Sequence, residues 1–306
     1  MVGDKSQNVE LTDHEAELYD RQIRLWGLES QKRLREAKIL LIGLNGYGAE
    51  IAKNIILAGV KAITFLDHRN VTVQDRCSQF LAPRELLGKN RAEASVQRAQ
   101  SLNPMVNVEA DTSNVDNKPD KYFSKFNVVC ATQCTITQIK RINEACRKHN
   151  IKFFSGDVWG SLVDFQIRFL EMQELFYFTE MINLKIFVLE KDFYNTKDTF
   201  ILSILILVML NYREKYGKDP LPSERGSENF AAEAAAIIKK YDLEDKINHL
   251  VEGDLYAQIS PVCAIVGGIM GQEIIKTVSQ KGTPHNNLFV FNPDTLCGKI
   301  LRLGQS

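Results

Sequence analysis

Lys38-Ile39-Leu40-Leu41-Ile42, followed at once by Gly43-Leu44-Asn45-Gly46-Tyr47-Gly48, is the stretch on which the fold turns. Five apolar-dominated residues in a row read as a buried strand. The glycines make a turn into a helix over 49–58, with Ile51, Ile55 and Ile56 as its apolar positions and Gly59 as its stop. A second strand, Ala62 to Leu66, ends at Asp67. Gly43 permits the tight turn, and Gly46 and Gly48 let backbone come close to a phosphate. The helix N-terminus adds partial positive charge. Asp67 lies 24 residues after Gly43 (67 − 43), where an acid that binds ribose hydroxyls belongs. Gly43, Gly46, Gly48 and Asp67 are therefore the candidate nucleotide-binding residues. Their order, GxxGxG rather than GxGxxG, points away from a nicotinamide oxidoreductase. Taken alone, the loop also fits a glycine turn with no ligand.

Working outward, strands and helices continue to alternate. The pattern predicts a helix over 91–102 stopped by Pro104, strands over 106–109 and 126–131, a helix over 136–149 and a strand over 151–154. Such alternation implies an α/β fold with a Rossmann-like, doubly wound, mostly parallel sheet. Toward the N-terminus, residues 1–10 read as a disordered tail, and Thr12-x-x-Glu15 is a capping box that opens a helix ending at Gly27. A short helix follows over 30–35. This helical extension carries Tyr19-Asp20-Arg21-Gln22-Ile23-Arg24-Leu25-Trp26-Gly27, which no standard dinucleotide fold requires. Toward the C-terminus, helices are expected over 199–210, 231–238 and 261–278, and a strand over 288–291. Ala264, Gly267, Gly268 and Gly271 mark a helix face that another backbone can approach, within the core or at a subunit interface. The organisation is thus a tail (1–10), a Rossmann-like half (11–160), an atypical Phe-, Tyr-, Asn- and Lys-rich segment (161–199), and C-terminal elements completing the same domain (200–306).

The 306 residues carry 38 basic and 38 acidic side chains, a balance that gives no reason to expect a nucleic-acid or membrane-surface partner. The run from Phe200 to Leu210 falls short of the roughly 20 residues of a membrane span, and the polar start is unlike a secretory signal. Six cysteines with no CxxC pair read as reduced thiols, and no metal site is expected. Cys130, Cys146 and Cys263 sit in apolar patterns, while Cys77 stands beside Arg76. Arg76 and the cluster Lys89-Asn90-Arg91 are candidate phosphate contacts, or else solvated helix faces. Arg21 and Arg24 are candidates for gripping a phosphate or carboxylate through paired hydrogen bonds.

The longer motifs are more specific. YDRQIRLWG, GLNGYGAEIAKNIILAG, QFLAPRELLGKNRAEAS, SLNPMV and SPVCAIVGGIMGQEIIK with PHNNLFVF resemble the ubiquitin-like-modifier activating enzymes. Within that family they are most similar to the smaller, non-thioester-forming subunits that serve SUMO. The resemblance covers about 11–160 and 200–306, and 161–199 stands in place of the family insert. It implies an adenylation fold paired with a homologous catalytic subunit that binds ATP and Mg²⁺, adenylates the SUMO C-terminus and carries the thioester cysteine. This chain would be the degenerate half, since no aspartate follows Val128-Val129-Cys130-Ala131 and Arg91 stands where a lysine is expected. The glycines and Asp67 would then be vestigial. Arg21 would reach in trans to the partner's ATP, and the location would be nuclear, with a cytoplasmic share. The alternatives are an inactive truncated isoform that at most binds the partner, and the equivalent subunit for another modifier.

Overall fold

The computed structural model describes residues 11–159, 163–169, 197–224, 227–240, 258–285, 288–292 and 296–301. Three helices come first: α1 (Asp13–Leu18), α2 (Asp20–Trp26) and α3 (Leu28–Glu36). The capping box is present, with the Glu15 amide donating to Thr12 Oγ1 and the Thr12 amide donating to Glu15. The single helix expected up to Gly27 is broken at Tyr19, whose φ of −101° and ψ of 12° separate α1 from α2. Gly27, at φ 91°, makes the stop.

Strand β1 (Lys38–Ile42), helix α4 (Gly46–Leu57), strand β2 (Ala62–Leu66), helix α5 (Arg91–Leu102) and strand β3 (Asn107–Asp111) follow, then β4 (Val128–Ala131), α6 (Ile136–Lys148) and β5 (Lys152–Trp159). Strands β3-β2-β1-β4-β5 lie side by side and parallel, which is the expected doubly wound arrangement. The sheet then continues antiparallel through β6 (Val163–Phe169), β7 (Leu288–Asn292) and β8 (Cys297–Leu301). Strand β6 falls in the segment from 161 to 199, where the sequence pattern predicts no element, and β8 is likewise unanticipated. The rest of that segment up to 196, and the tail 1–10, lie outside the described residues. Helices α7 (Lys197–Tyr216), α8 (Glu228–Lys240) and α9 (Ser260–Ser279) complete the helices among the described residues.

The period-2 alternation of strand β1 divides the core. Leu40 and Ile42 point to one face, where α6, α7 and α8 cover the sheet with Ile139, Ile142, Val208, Met209 and Phe230. Ile39 and Leu41 point to the other, against α4, α5 and α9 with Ile51, Ile55, Val266 and Met270. Helix α9 is long and apolar enough to cross a membrane, yet it lies on α4 as a core helix. A methyl group on Gly267 would come 2.5 Å from Glu50 Cβ, and one on Gly271 2.7 Å from Asn54 Cβ, so these two glycines serve the core crossing. A methyl group on Gly268 would meet nothing within 4 Å.

Candidate functional site

The strand order reverses direction between β1 and β4, so the ligand crevice of such a sheet opens beyond Ile42 and Ala131. Gly43, Gly46, Gly48 and Asp67 come together there. Gly43 takes φ 80°. Asn45 caps α4 by accepting from the Gly48 amide at 2.8 Å. The loop packs closely against other parts of the chain. A methyl group at Gly43 would collide with Thr132, and one at Gly46 with the Ser78 side chain. Thr132 Oγ1 donates to the Gly43 carbonyl at 2.9 Å. The Tyr47 amide, which would otherwise face a phosphate, makes a long bond to Gln258 Oε1 at 3.4 Å.

Asp67 is engaged in the same way. Its side chain is fully buried; Oδ2 accepts from the Leu44 amide at 2.8 Å and from Arg91 Nη1 at 3.2 Å, and Oδ1 accepts from the Arg69 amide at 2.9 Å. Arg91 is no solvated helix residue: it is 5% exposed and also bonds Asp75 at 3.1 Å and Gln133 Oε1 at 2.9 Å. Asn45 Nδ2 and Arg91 Nε are buried donors with no partner among the described residues. Against those two donors stand an acid with both oxygens engaged and a loop closed by Ser78 and Thr132. The arrangement offers a nucleotide two unpaired donors but no free acid for its ribose hydroxyls.

The crevice is closed further by residues that no motif announces. Gln133, left-handed at φ 54°, donates its amide to Asp157 Oδ1 at 2.9 Å while its carbonyl accepts from Arg69 at 3.2 Å. Asp157 in turn holds Arg213 at 2.7 Å. Arg213, 1% exposed, also bonds Asp219 through two nitrogens at 2.8 Å each and the Cys134 carbonyl at 3.1 Å. Its guanidinium lies 5.0 Å from the Trp159 ring centroid. Two arginines thus tie four aspartates across the carboxyl end of the sheet. The only sequence signal for Arg213 was its place just past an apolar helical run (Phe200 to Leu210).

Arg21 lies elsewhere. Tyr19 is buried against Gly59, where a methyl group would come 2.6 Å from the ring. Its hydroxyl accepts from Asn103 Nδ2 at 2.9 Å, so the YDRQ and SLNP motifs are one constellation. Gln22 and Gln31 donate to the Leu57 and Ala58 carbonyls at the end of α4, each at 3.0 Å. Arg35 pairs with Glu15 at 2.6 Å. These bonds fix α2 while Arg21 projects into solvent with no partner among the described residues. Arg24 is bound by Asp20 at 3.0 Å. Leu18, Leu25 and Leu28 of the same extension are exposed, Leu25 to 74%.

The cysteines divide as the pattern suggests. Burial pushes the Cys134 and Cys146 thiols up to about 12 and Cys130 higher still, so these are packed, inert groups. Cys77 is exposed. No group of three or more His, Cys, Asp or Glu among the described residues is placed to hold a metal.

Comparison with known proteins agrees with this architecture. The profile of the ThiF family matches residues 19–303. Subunit 1 of the SUMO-activating enzyme of Xenopus laevis is 40% identical over 334 aligned residues, covering 96% of this chain and 97% of the relative. The Homo sapiens subunit 1 is 38% identical, covering 95% and 96%. Among solved structures, E. coli MccB with succinimide superposes with a TM-score of 0.60 at 13% identity, over 94% of this chain and 72% of that one. PaaA does so at 0.62 and 15%, over 95% and 84%. At such identities these two speak to the fold alone.

Proposed function

The chain belongs to the ThiF family, and within it to the group of SUMO-activating enzyme subunit 1; from that premise we propose that it is the non-thioester-forming half of a heterodimeric SUMO-activating ligase. In this reading the catalytic subunit binds ATP and Mg²⁺. A SUMO carboxylate oxygen attacks the α-phosphorus and the bond to pyrophosphate breaks; a cysteine thiolate of that subunit then attacks the acyl carbon of the adenylate, forming the thioester and releasing AMP. This chain supplies Arg21. Its guanidinium donates hydrogen bonds to phosphate oxygens as negative charge builds, which favours the transition state over the ground state.

The observation that carries the proposal is where Arg21 stands. Its helix is bonded to the C-terminal end of α4 through Gln22 and Leu57, whereas the chain's own glycine loop lies at the N-terminal end. Twelve helical residues separate the two ends by about 18 Å, beyond the reach of one side chain. An arginine with no partner among the described residues is available there to another molecule, and the exposed leucines beside it on the extension suit burial by a second subunit. Nuclear location rests on the family resemblance alone, and fractionation of native cells tests it.

The experiment is ATP-dependent SUMO thioester formation on the catalytic subunit, with this chain and with Arg21→Ala. A rate loss on the order of 10²–10³ with unchanged co-purification is the expected result. An undiminished rate sinks the arginine role. The second reading, a partner-binding module without a catalytic contribution, is favoured by the self-filled crevice. It predicts co-purification together with that undiminished rate.

A further inference from the structure

A cavity of about 250 Å³ lies beside the crevice and shares Ser78 with the glycine loop, but contains none of the loop's glycines. Three arginines from three elements line it: Arg76 from the 3₁₀ turn Gln74–Cys77, Arg84 from the 3₁₀ turn Arg84–Leu86, and Arg98 from α5. One carboxylate, Asp75, is in the wall. It is already engaged, accepting from the Thr72 amide and hydroxyl at 2.7 and 2.9 Å and from Arg91 at 3.1 Å. Arg76 and Arg84 have no hydrogen bond or ion pair among the described residues. Arg98 uses one nitrogen on the Phe80 carbonyl at 2.8 Å, which orients its planar fork and leaves its other donors free. Ser260, the first residue of α9, closes one side, and no side chain caps that helix.

All three side chains are exposed, so water screens their mutual repulsion, yet together they make the potential at the cavity positive. Arginine forks match the paired oxygens of phosphate better than any other side chain does. The uncapped helix end adds positive potential of the same sign. From the arginine-lined cavity we infer a binding site for a compact oxyanion of the phosphate and pyrophosphate class, formed by Arg76, Arg84 and Arg98. It is separate from the glycine loop. Arg76 was a phosphate candidate from sequence, and the structure supplies the two distant arginines that complete its set.

Inorganic pyrophosphate and inorganic phosphate are the probes, titrated calorimetrically into the full-length chain without its partner, at low and high salt. Arg84→Glu is the informative variant, because Arg84 is exposed on a short turn and its reversal disturbs no buried contact. Binding of either anion that weakens roughly tenfold to a hundredfold in Arg84→Glu, and weakens again in Arg98→Ala, supports the site. Circular dichroism must show both variants folded; Arg76→Ala serves as a third probe should Arg98→Ala lose its fold. Absence of binding to the wild-type chain overturns the inference. So does binding that all three substitutions leave unchanged, which would place the anion at the glycine loop.

Discussion

Among single residues, Arg213 has the most to lose. It sits between the buried Asp157 and the partly exposed Asp219 with its guanidinium on Trp159. Burial pushes both carboxyls up. At Asp219 the attraction of Arg213 wins and holds the group below its ordinary range, whereas at Asp157 burial wins. Removing the cation leaves Asp157 in the core, and Asp219 at its edge, without a counter-charge. Arg213→Ala is therefore expected to lower unfolding stability by about 3–5 kcal/mol, read from the urea midpoint. A loss under 1 kcal/mol would mean that water relieves the pair. None of this was legible beforehand. An arginine at the end of an apolar helical run looks like a helix terminus meeting solvent. Its partners Asp157 and Asp219 are 56 and 6 residues away along the chain. Arg21 was legible for the opposite reason, because its motif is local and unbroken.

At the scale of elements, the parallel strands and the helices between them were readable because short-range patterns decide them. Strand β1 alternates between two cores, and α5 begins at an asparagine cap and ends before Pro104. What could not be read was pairing at long range. Strand β6 is fixed by β5 on one side and β7 on the other, and neither neighbour leaves a mark in the segment itself. The crossing of α4 and α9 lies in between. The small residues announced a close approach but not its partner, and the structure sorts them. Gly267→Ala would place a carbon 2.5 Å from Glu50 Cβ and 3.3 Å from the Ile51 nitrogen, so the helices must separate. A loss of about 1–3 kcal/mol is expected. Gly268→Ala meets open space and should gain about 0.5–1 kcal/mol from helix propensity. Thermal midpoints of the two variants moving in the same direction would count against this packing.

The molecule as a whole is held by carboxylates that prefer to be ionised in the native state. Burial would raise Asp111, but hydrogen bonds from Lys118, Ser113 and Tyr122 outweigh it and hold the group at about 2. Glu15 is lowered by Thr12 and Arg35 despite its burial, and Glu214 by Thr137. Groups depressed in the folded state stabilise it above their unfolded values near 4. That contribution is lost as pH falls toward 2. Asp157, raised by burial, acts in the opposite sense and offsets part of the loss. The denaturant midpoint should accordingly drop between pH 5 and pH 2, and Asp111→Asn should flatten the drop. A wild-type midpoint that is constant over that interval would contradict the assignment. The closed crevice has a historical consequence as well. Reopening it for a nucleotide means removing Arg91, which at once strands Asp67 and Asp75 in the interior. A first mutational step of that kind costs several kcal/mol, a large share of a typical domain's 5–15, before any ligand can compensate. Once an arginine has settled among those aspartates, a lineage cannot easily retrace its path.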